Sequence, residues 1–331
     1  MILIYRLSLI ASCNSLLSNC IVIDCLSIKV PKMSCFKTLN FFDITFDKPI
    51  IYIIGPTAIG KSKLALELAQ QFQADIISAD SYQVYKGMDI GTAKASTEDR
   101  LLVPHHLIDT HLPTEAYNVT DFIRYCKQHL NPNKRTIICG GNGLFLRSFL
   151  YDYHFPKAKS NPEIRDSLMH DYERGNKQNL WNQLHSIDPK TASQIHPNNK
   201  HRLIRALEIY HITKHPPSSL KQKKTKPRDD VTILGLTCDR NVVTERIDIR
   251  VDMMIKHGLI EEVKTLLEAG YEPSLPALNC IGYKETIHYL NGSISYDEMI
   301  HLIKIHTHQF SKRQMTWFKK IENVFWNISH K

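Results

Sequence analysis

The sequence predicts an α/β fold: a parallel sheet flanked by helices, with an all-helical insertion and a helical C-terminal part. Two observations carry this prediction. Residues 50–54 form an apolar run, residues 55–62 read GPTAIGKS, and residues 63–72 are apolar at helical spacing. Strand, glycine-rich loop and helix in this order are typical of P-loop NTPase-like folds. The second observation is that the alternation of strands and helices stops between residues 156 and 226, where only helical periodicity is found.

The glycine-rich loop predicts a phosphate-binding site. Its residues are Gly55, Pro56, Thr57, Ala58, Ile59, Gly60, Lys61 and Ser62. The glycines allow successive backbone N–H groups to turn inward, and the following helix adds the positive end of its dipole. We expect Lys61 to contact a terminal phosphate and the Ser62 hydroxyl to bind a magnesium ion that bridges two phosphates. The loop alone leaves open which phosphate compound is bound, and whether a phosphoryl or a carbon group is transferred.

A second predicted strand, residues 75–80, ends in Asp80. Asp80 is then at the carboxyl end of a strand beside the phosphate loop, where open parallel sheets bind their ligands. Residues 81–94 are rich in glycine and polar groups and lack periodicity. We interpret them as a loop, and long loops in compact domains are usually functional.

The alternation continues along the chain. Residues 106–109 and 136–139 are predicted as strands, with a helix over residues 120–130 between them. A glycine cluster at residues 140–143 then leads into an apolar helix, residues 144–150. Glycine at such a turn allows the backbone to approach a ligand closely, and a tight turn without a ligand is the alternative.

The helical insertion, residues 156–226, divides the predicted core into residues 48–155 and 227–331. Helices are expected in three segments of the insertion: 161–174, 177–186 and 199–213. The exit from the insertion, residues 221–228, reads KQKKTKPR. We interpret this basic segment as a mobile linker or a solvated loop.

The C-terminal part begins with a predicted strand at residues 231–236 and is otherwise mainly helical. One helix is expected over residues 241–257 and carries Arg250, and another is expected over residues 295–321. Residues 324–326 are predicted to add a terminal strand.

Residues 312–320, which read KRQMTWFKK, interleave cations with aromatic rings. This pattern suits single-stranded nucleic acid, because Lys and Arg contact phosphates while a ring stacks on a base. Taken alone, Trp317 and Phe318 are more often core residues than RNA contacts.

The charge balance agrees with a nucleic-acid partner. The chain has 42 Lys and Arg against 33 Asp and Glu, a net charge of +9. A small phosphate ligand requires fewer cations, so the surplus predicts a larger polyanion, with a generally basic surface as the alternative. None of the eight cysteines forms a C-x-x-C pair, which argues against a zinc site and a disulfide framework and predicts a reducing compartment, the cytoplasm.

Residues 1–47 are predicted to be an N-terminal extension that is poorly structured or that reflects a wrongly assigned start, with Met33 as a possible true start. The alternative is a targeting segment, because residues 7–23 are apolar. Polar residues interrupt that run, which disfavours a membrane span. They are Asn14, Ser15, Ser18 and Asn19.

Further motifs are spread along the whole chain. They are Asp80-Ser81, residues 85–94 (YKGMDIGTAK), Pro104-His105, Gly140-Gly141, residues 196–198 (HPN), Arg202-Leu203, residues 205–208 (RALE), Gly282-Tyr283 and residues 312–317 (KRQMTW). Together they resemble the tRNA dimethylallyltransferases, and the likeness runs from about residue 49 to residue 326. The motifs are long and follow one order, so the resemblance is specific.

The resemblance implies transfer of a dimethylallyl group from dimethylallyl diphosphate to the exocyclic amine of the adenosine 3′-adjacent to the anticodon, in tRNAs reading codons that start with U. It further implies Mg²⁺ as cofactor, the tRNA anticodon loop as partner, and a cytoplasmic monomer that binds no membrane. Residues 57–62 would hold the diphosphate with magnesium, and Arg250 matches a family arginine with the same task. Asp80 takes the position of the residue that accepts the amine proton. The implied catalytic residues are Asp80, Lys61, Ser62 and Arg250.

Family positions that contact tRNA can also be matched, and they include part of the helical insertion. They are Asp80, Ser81, Tyr82, Gln83, Asn142, Arg165, His201, Arg202, Leu203, Ile204, Arg205, Asn279, Cys280, Ile281, Gly282, Tyr283, Lys284, Lys312, Arg313, Gln314, Met315, Thr316, Trp317, Phe318 and Lys319. Two departures from the family pattern occur. Asn142 stands where the family commonly has Thr, and the zinc-finger extension of eukaryotic relatives is absent from the sequence, so the shorter bacterial type is the better match.

Two other functions use the same loop. A small-molecule kinase would transfer a phosphoryl group from ATP and would need an acceptor pocket and an arginine lid, but it gives no reason for a basic aromatic helix. A non-catalytic RNA-binding protein or nucleotide switch is the other alternative. The combination of Lys61, Ser62 and Asp80 argues against it.

Overall fold

The computed structural model describes residues 47–131, 133–153, 155–156, 161–220, 224 and 226–328. Apart from Asp47, the predicted N-terminal extension lies outside these residues. Residues 221–223 and 225 of the basic segment lie outside them as well.

A parallel sheet forms the centre of the described part of the chain. Its strands are β1 (Ile50–Ile54), β2 (Asp75–Ser78), β3 (His105–His106), β4 (Thr136–Cys139), β5 (Val231–Thr237) and β6 (Val324–Ile328). Their spatial order is β3-β2-β4-β1-β5-β6, and every neighbouring pair is parallel. Central β1 is buried along its whole length, as expected for a strand covered by helices on both faces. The predicted parallel sheet is confirmed, including the terminal strand.

Helices connect and cover these strands. Those of the core are α1 (Lys61–Phe72), α2 (Thr97–Leu102), α3 (Val119–His129), α4 (Gly143–Leu150), α10 (Arg240–Lys256), α11 (Leu259–Glu268), α12 (Tyr283–Leu290) and α13 (Tyr296–Phe318). Those of the insertion are α5 (Pro162–Asp171), α6 (Lys177–Ile187), α7 (Pro189–Ala192), α8 (Lys200–Thr213) and α9 (Pro217–Leu220). A π-helical turn, Tyr172–Asn176, joins α5 to α6, and a 3₁₀ turn, Pro276–Asn279, precedes α12.

The apolar spacing of α1 decides how this helix packs. Its buried residues are Leu64, Ala65, Leu68 and Ala69. They form one stripe at helical spacing that contacts the sheet, while Lys63 and Glu67 face outward. The stripe determines which face of the helix packs on the sheet, and the short loop of residues 55–60 places its N-terminus at the carboxyl end of β1.

The third strand is shorter than predicted and begins one residue earlier. It ends at His106, because Leu107 and Asp109 have left-handed φ values of 61° and 54°. Such values cannot continue an extended strand. They turn the Asp109 carboxylate toward Lys94 and Arg100, whose side-chain nitrogens both lie 2.6 Å from it.

In the described residues of the insertion, all regular secondary structure is helical. The insertion also has a hydrophobic cluster of its own. The buried members of that cluster are Leu168, Leu180, Leu184, Ala192, Ile195, Leu203, Ile204, Ala206 and Leu207. Beside it, the fully buried Glu208 carboxylate accepts hydrogen bonds from Arg165 and Arg205, each at 2.8 Å. The predicted all-helical insertion is confirmed as part of the fold class.

The end of the basic segment is more ordered than a solvated linker. Arg228 forms two hydrogen bonds with Asp230, at 2.8 and 2.6 Å, and its guanidinium lies 4.7 Å from the centre of the Phe149 ring. The backbone N–H groups of Lys224 and Arg228 donate to Tyr151 and Leu150. These contacts fasten the return of the chain into β5 to the end of α4.

The helical C-terminal part is confirmed, with small shifts at the helix ends. The hydroxyl of Ser295 caps the N-terminus of α13 by accepting a hydrogen bond from the Glu298 N–H. In the described residues, no helix has both the length and the apolar character needed to span a membrane.

Candidate active site

The phosphate loop ends in a helix N-terminus that is left open for an anion. Gly60 caps α1 with a left-handed φ of 100° and forms no side-chain cap hydrogen bond. The first N–H groups of a helix have no acceptor within the helix itself. Together with the helix dipole, these groups form a binding site for phosphate oxygens.

The predicted catalytic residues line one cavity of about 370 Å³, which we call the central cavity. Lys61 and Ser62 come from the start of α1, Asp80 follows β2, and Arg250 comes from the middle of α10. Gly140 and Gly141 line the same cavity after β4. The carboxyl ends of three neighbouring strands therefore meet here, as expected for ligand sites of parallel sheets.

Lys61, Arg250 and Arg313 supply the positive charge of the central cavity, and the first two lie at the phosphate loop. Lys61 Nζ donates a hydrogen bond to the carbonyl oxygen of Pro56 at 2.7 Å. Burial lowers the pKa of Lys61 to about 8, and the nearby Arg250 adds to this effect. Arg250 Nη1 donates to Thr57 Oγ1 at 3.3 Å, so the guanidinium is held over the phosphate loop.

This pKa predicts that diphosphate binding weakens at alkaline pH. Lys61 is protonated below about pH 8 and neutral above it, and a bound anion favours the protonated form. We expect the affinity for inorganic diphosphate to fall by up to about tenfold per pH unit above pH 8. Titration calorimetry between about pH 7 and pH 9 measures the change.

The Lys61→Met variant in the same buffers accounts for the titration of diphosphate itself. A ratio of the two affinities that stays constant with pH would contradict the assignment.

Asp80 lies where the central cavity meets a second cavity of about 350 Å³, the outer cavity. Its Oδ1 accepts a hydrogen bond from the Tyr82 N–H at 2.9 Å. Part of the carboxylate faces the cavities, but protein surrounds it, and this burial raises its pKa. The N–H groups of Tyr82 and Gln83 and the charge of Lys61 oppose the shift. A carboxylate with a raised pKa is a better proton acceptor than an ordinary one.

The outer cavity is lined by aromatic and cationic side chains. Trp317, which is 41% exposed, and Arg313 come from α13, Phe310 lies one turn earlier, and Leu144 faces them from α4. A ring beside a guanidinium is the arrangement on which an unstacked nucleobase can be held. The two cavities meet at Asp80, so a base in one lies next to a phosphate compound in the other.

Asn142 is engaged within the protein at both ends of its amide. Its Oδ1 accepts hydrogen bonds from Leu144 and Phe145 at 3.0 and 3.2 Å and so caps α4. Its Nδ2 donates to Ser81 Oγ. Asn142 also belongs to the lining of the outer cavity, and its predicted RNA contact stays a prediction.

Other predicted RNA contacts divide into exposed and buried groups. The exposed residues are His201, Arg202, Lys284, Lys312, Arg313, Thr316, Trp317 and Lys319. The side chains of Leu203, Ile204, Tyr283 and Phe318 are buried instead, because they occupy the inward-facing positions of their helices. These four side chains do not face the solvent and pack beneath their exposed neighbours, so the predicted tRNA contact of this group stays a prediction that rests on the exposed residues.

The remaining predicted positions have mixed surroundings. Asn279, Cys280, Ile281 and Gly282 form a wall of the central cavity together with Tyr82 and Gln83. Arg165 and Arg205 are partly exposed and paired with Glu208. Met315 is partly buried in the core, and Gln314 is almost fully buried.

Sequence reasoning missed several residues of the cavities and one that shapes them. Among the missed residues are Thr307 and Phe310, which line the central cavity, and continuing the helical spacing backward from Arg313 would have found them. Glu262 accepts hydrogen bonds from the N–H groups of Asp89 and Ile90, at 3.0 and 2.8 Å, and from the Tyr283 hydroxyl at 2.6 Å. No local pattern identifies Glu262, because its partners are distant in sequence.

The oxygen atoms that line the central cavity fit a magnesium ion that is bound mainly by the oxygens of a phosphate compound. Among the described residues, no group of three or more His, Cys, Asp or Glu side chains could hold a metal. Ser62 offers one hydroxyl oxygen to the cavity. Mg²⁺ typically takes few protein ligands and completes its shell with phosphate oxygens and water.

Comparison with known proteins gives a consistent result. A family model described as IPP transferase matches residues 83–321. The chain is similar to the tRNA dimethylallyltransferase of Acetivibrio thermocellus, with 43% identity over 283 residues that cover 84% of this chain and 90% of that protein.

Two solved structures are similar as well. One is a tRNA delta(2)-isopentenylpyrophosphate transferase from Staphylococcus epidermidis, with 38% identity, a TM-score of 0.60, and coverage of 85% of this chain and 92% of that chain. The other is a eukaryotic dimethylallyltransferase acting on tRNA, with 29% identity, a TM-score of 0.73, and coverage of 86% and 74%.

Proposed function

This chain belongs to the IPP transferase family, and we propose that it is a tRNA dimethylallyltransferase. It transfers the dimethylallyl group of dimethylallyl diphosphate to the exocyclic amine of the adenosine 3′-adjacent to the anticodon, in tRNAs that read codons starting with U. One observation carries this proposal: Asp80 lies between a cavity with a phosphate loop and a cavity lined by Trp317 and Arg313. A carboxylate in that position is placed to act on a base amine beside a diphosphate.

The diphosphate end of the reaction is assigned to the phosphate loop, residues 55–62. The bond between the allyl carbon and the diphosphate oxygen breaks, and the electron pair leaves with the diphosphate. Lys61, Arg250 and the N–H groups at the start of α1 stabilise the charge that develops there. Ser62 would hold Mg²⁺, which supplies further neutralisation of the diphosphate charge when bound.

The adenine end is assigned to Asp80. A bond forms between the amine nitrogen and the allyl carbon, and the amine proton passes to the Asp80 carboxylate. The hydrogen bond from the Tyr82 N–H orients that carboxylate. Its raised pKa suits it to accept a proton from an amine that is a weak nucleophile at rest.

The RNA must deliver an unstacked base to the outer cavity. Exposed cations on α13, such as Lys312 and Lys319, would contact phosphates while Trp317 stacks against a base. The exposed His201 and Arg202 of the insertion would contact the RNA farther from the reacting base. A tRNA substrate supports a cytoplasmic location, and we propose that the enzyme acts there as a monomer.

A small-molecule kinase is the other function that this loop could serve. The family match and the aromatic outer cavity favour transfer of a carbon group. Both reactions use a phosphate loop, so the two functions differ in the group that is transferred. The transferase moves a dimethylallyl group from dimethylallyl diphosphate, and the kinase moves a phosphoryl group from ATP.

Transfer of radiolabel tests the proposal directly. Purified protein is incubated with magnesium, radiolabelled dimethylallyl diphosphate and unmodified tRNA that reads codons starting with U. We expect label in the RNA, and none when the adenosine 3′-adjacent to the anticodon is replaced by guanosine. Absence of label in both RNAs, together with transfer of phosphate from ATP to a small acceptor, would favour the kinase.

A further inference from the structure

The side chain of Gln314 connects three segments of the candidate active site. It comes from α13, and its Oε1 accepts a hydrogen bond from the Thr57 N–H at 2.8 Å. Its Nε2 donates to the Gly141 carbonyl oxygen at 3.0 Å. Gln314 is only 3% exposed, and it belongs to the linings of both cavities. One amide thereby joins the phosphate loop, the glycine turn after β4 and the helix that faces the outer cavity.

The chemistry of these positions requires an amide. The Thr57 N–H can only donate and the Gly141 carbonyl can only accept, so the bridging group needs one acceptor and one donor. Glutamine supplies both, whereas an ionised carboxylate would set an acceptor against the Gly141 oxygen. The approach is also tight, because a Cβ at residue 141 would collide with Gln314 Nε2. The glycine and the glutamine are therefore matched.

The bridge fixes a distance that the reaction depends on. Trp317, one turn after Gln314 on α13, lines the outer cavity, whereas Thr57 belongs to the loop that would grip the diphosphate. Arg313, adjacent to Gln314, lines both cavities. The RNA-facing end of α13 and the phosphate loop must therefore be held at a fixed distance, because the reacting atoms must come within about 3–3.5 Å of each other. Gln314 is a direct side-chain link between those elements.

We propose that Gln314 is a positioning residue, which holds the phosphate loop against the RNA-facing helix so that the allyl carbon lies within reach of the adenine amine. The inference rests on the proposed function and adds a residue to it. It assigns Gln314 a role inside the protein, in place of the predicted RNA contact, because one acceptor site of Oε1 and one N–H of Nε2 are used by backbone groups.

The test compares two substitutions with a control on the same helix. Gln314→Met keeps the length of the side chain but removes both hydrogen bonds, and Gln314→Glu keeps the acceptor for Thr57 but loses the donor to Gly141. The control is Gln309→Met, because Gln309 is exposed on α13 and outside the lining of both cavities. The measurements are the affinity for tRNA, kcat, KM for dimethylallyl diphosphate, and Tm.

We expect Gln314→Met to lower kcat/KM for dimethylallyl diphosphate on the order of 10- to 100-fold, because two buried partners lose their hydrogen bonds. The tRNA affinity should stay within about twofold of wild type, because the exposed side chains of α13 are unchanged. Gln314→Glu should lose less at low pH, where protonation of the carboxyl restores a donor toward Gly141. Gln309→Met should match wild type.

Other patterns would overturn the inference. Weaker tRNA binding with unchanged kinetics toward dimethylallyl diphosphate would identify Gln314 as an RNA contact. If Gln314→Met lowered Tm but kept the wild-type kcat and KM, Gln314 would have a purely structural role. Failure of the proposed function is distinguishable from both, because then the wild-type protein and Gln309→Met would also transfer no label.

Discussion

We expect the Asp80→Asn variant to bind both substrates and to transfer the dimethylallyl group about 100- to 10,000-fold more slowly than wild type. Asparagine keeps the oxygen that accepts the Tyr82 N–H, so the loop after β2 should retain its shape. What is lost is the negative charge and the ability to accept a proton. The loss should therefore lie in kcat, measured by single-turnover transfer of label into RNA.

The binding data sharpen this prediction. Asp80 interacts with the charge of Lys61, and a bound diphosphate would add negative charge beside its carboxylate. Removing the carboxylate charge should leave the affinity for dimethylallyl diphosphate unchanged or increase it. A loss of activity that came from weaker diphosphate binding would assign Asp80 to substrate binding and not to proton transfer.

The pH dependence offers a second readout for the same residue. Asp80 must be deprotonated to act as a base, and burial raises its pKa above the ordinary carboxyl range. Wild-type kcat should fall as the pH decreases through that raised pKa, and the residual kcat of Asp80→Asn should not follow this fall. Asp229→Asn is a matched control, because Asp229 is an exposed carboxylate outside both cavities.

The sequence was sufficient for the parts of the site that are continuous in the chain. The phosphate loop, residues 55–62, follows one strand and starts one helix, so its motif contains its own structural context. Asp80 could be placed beside it by the rule that parallel strands bring their carboxyl ends to one edge. Arg250 entered only through the family resemblance, because no spacing rule connects it to a loop that precedes it by nearly 190 positions.

Contacts between distant segments were not predictable from patterns. The sequence marks Gln314 as part of a basic aromatic motif, yet both its hydrogen bonds run to backbone groups of other elements. The family motif marks Tyr283 as a tRNA contact, while in the structure its hydroxyl donates a hydrogen bond to Glu262 and its ring is buried. Local periodicity indicates which residues face the core, whereas it does not indicate which side chains form hydrogen bonds with distant backbone groups. The early end of β3 was also not predictable, because it depends on contacts between separate segments. The left-handed turn at Asp109 places its carboxylate against Lys94 and Arg100.

The predicted tRNA contacts whose side chains are buried follow one physical pattern. Motifs of the family mix residues that touch a ligand with residues that hold those in place, and sequence likeness does not separate them. On α8, Arg202 is exposed while the adjacent Leu203 is in the core of the insertion. On α13, Trp317 lines the outer cavity while Phe318 is fully buried. Burial, which only the fold reveals, makes the distinction.

Replacement of Lys61 by methionine should have the other large effect, a decrease in kcat/KM for dimethylallyl diphosphate of about 100- to 1,000-fold. The ammonium is the part of the phosphate loop that carries a full charge, and it acts in a buried cavity where water screens it little. Arginine is not expected to rescue the variant, because its planar guanidinium differs from a compact ammonium in size and geometry. Lys63→Met is the matched control, since Lys63 is exposed two positions later on α1.

Stability measurements separate this loss of activity from unfolding. Burial lowers the pKa of Lys61 from its ordinary value of 10.5 to about 8, so the folded state disfavours the charged ammonium. That cost is fully present below about pH 8, decreases above it, and disappears as the pH rises past 10.5, beyond which the side chain is neutral in both folded and unfolded chains. Lys61→Met should therefore have a Tm at least equal to wild type at neutral pH, and its advantage should shrink as the pH rises. A variant that is inactive and also less stable than wild type at neutral pH would instead indicate that Lys61 supports the fold of the loop, chiefly through its hydrogen bond to the Pro56 carbonyl.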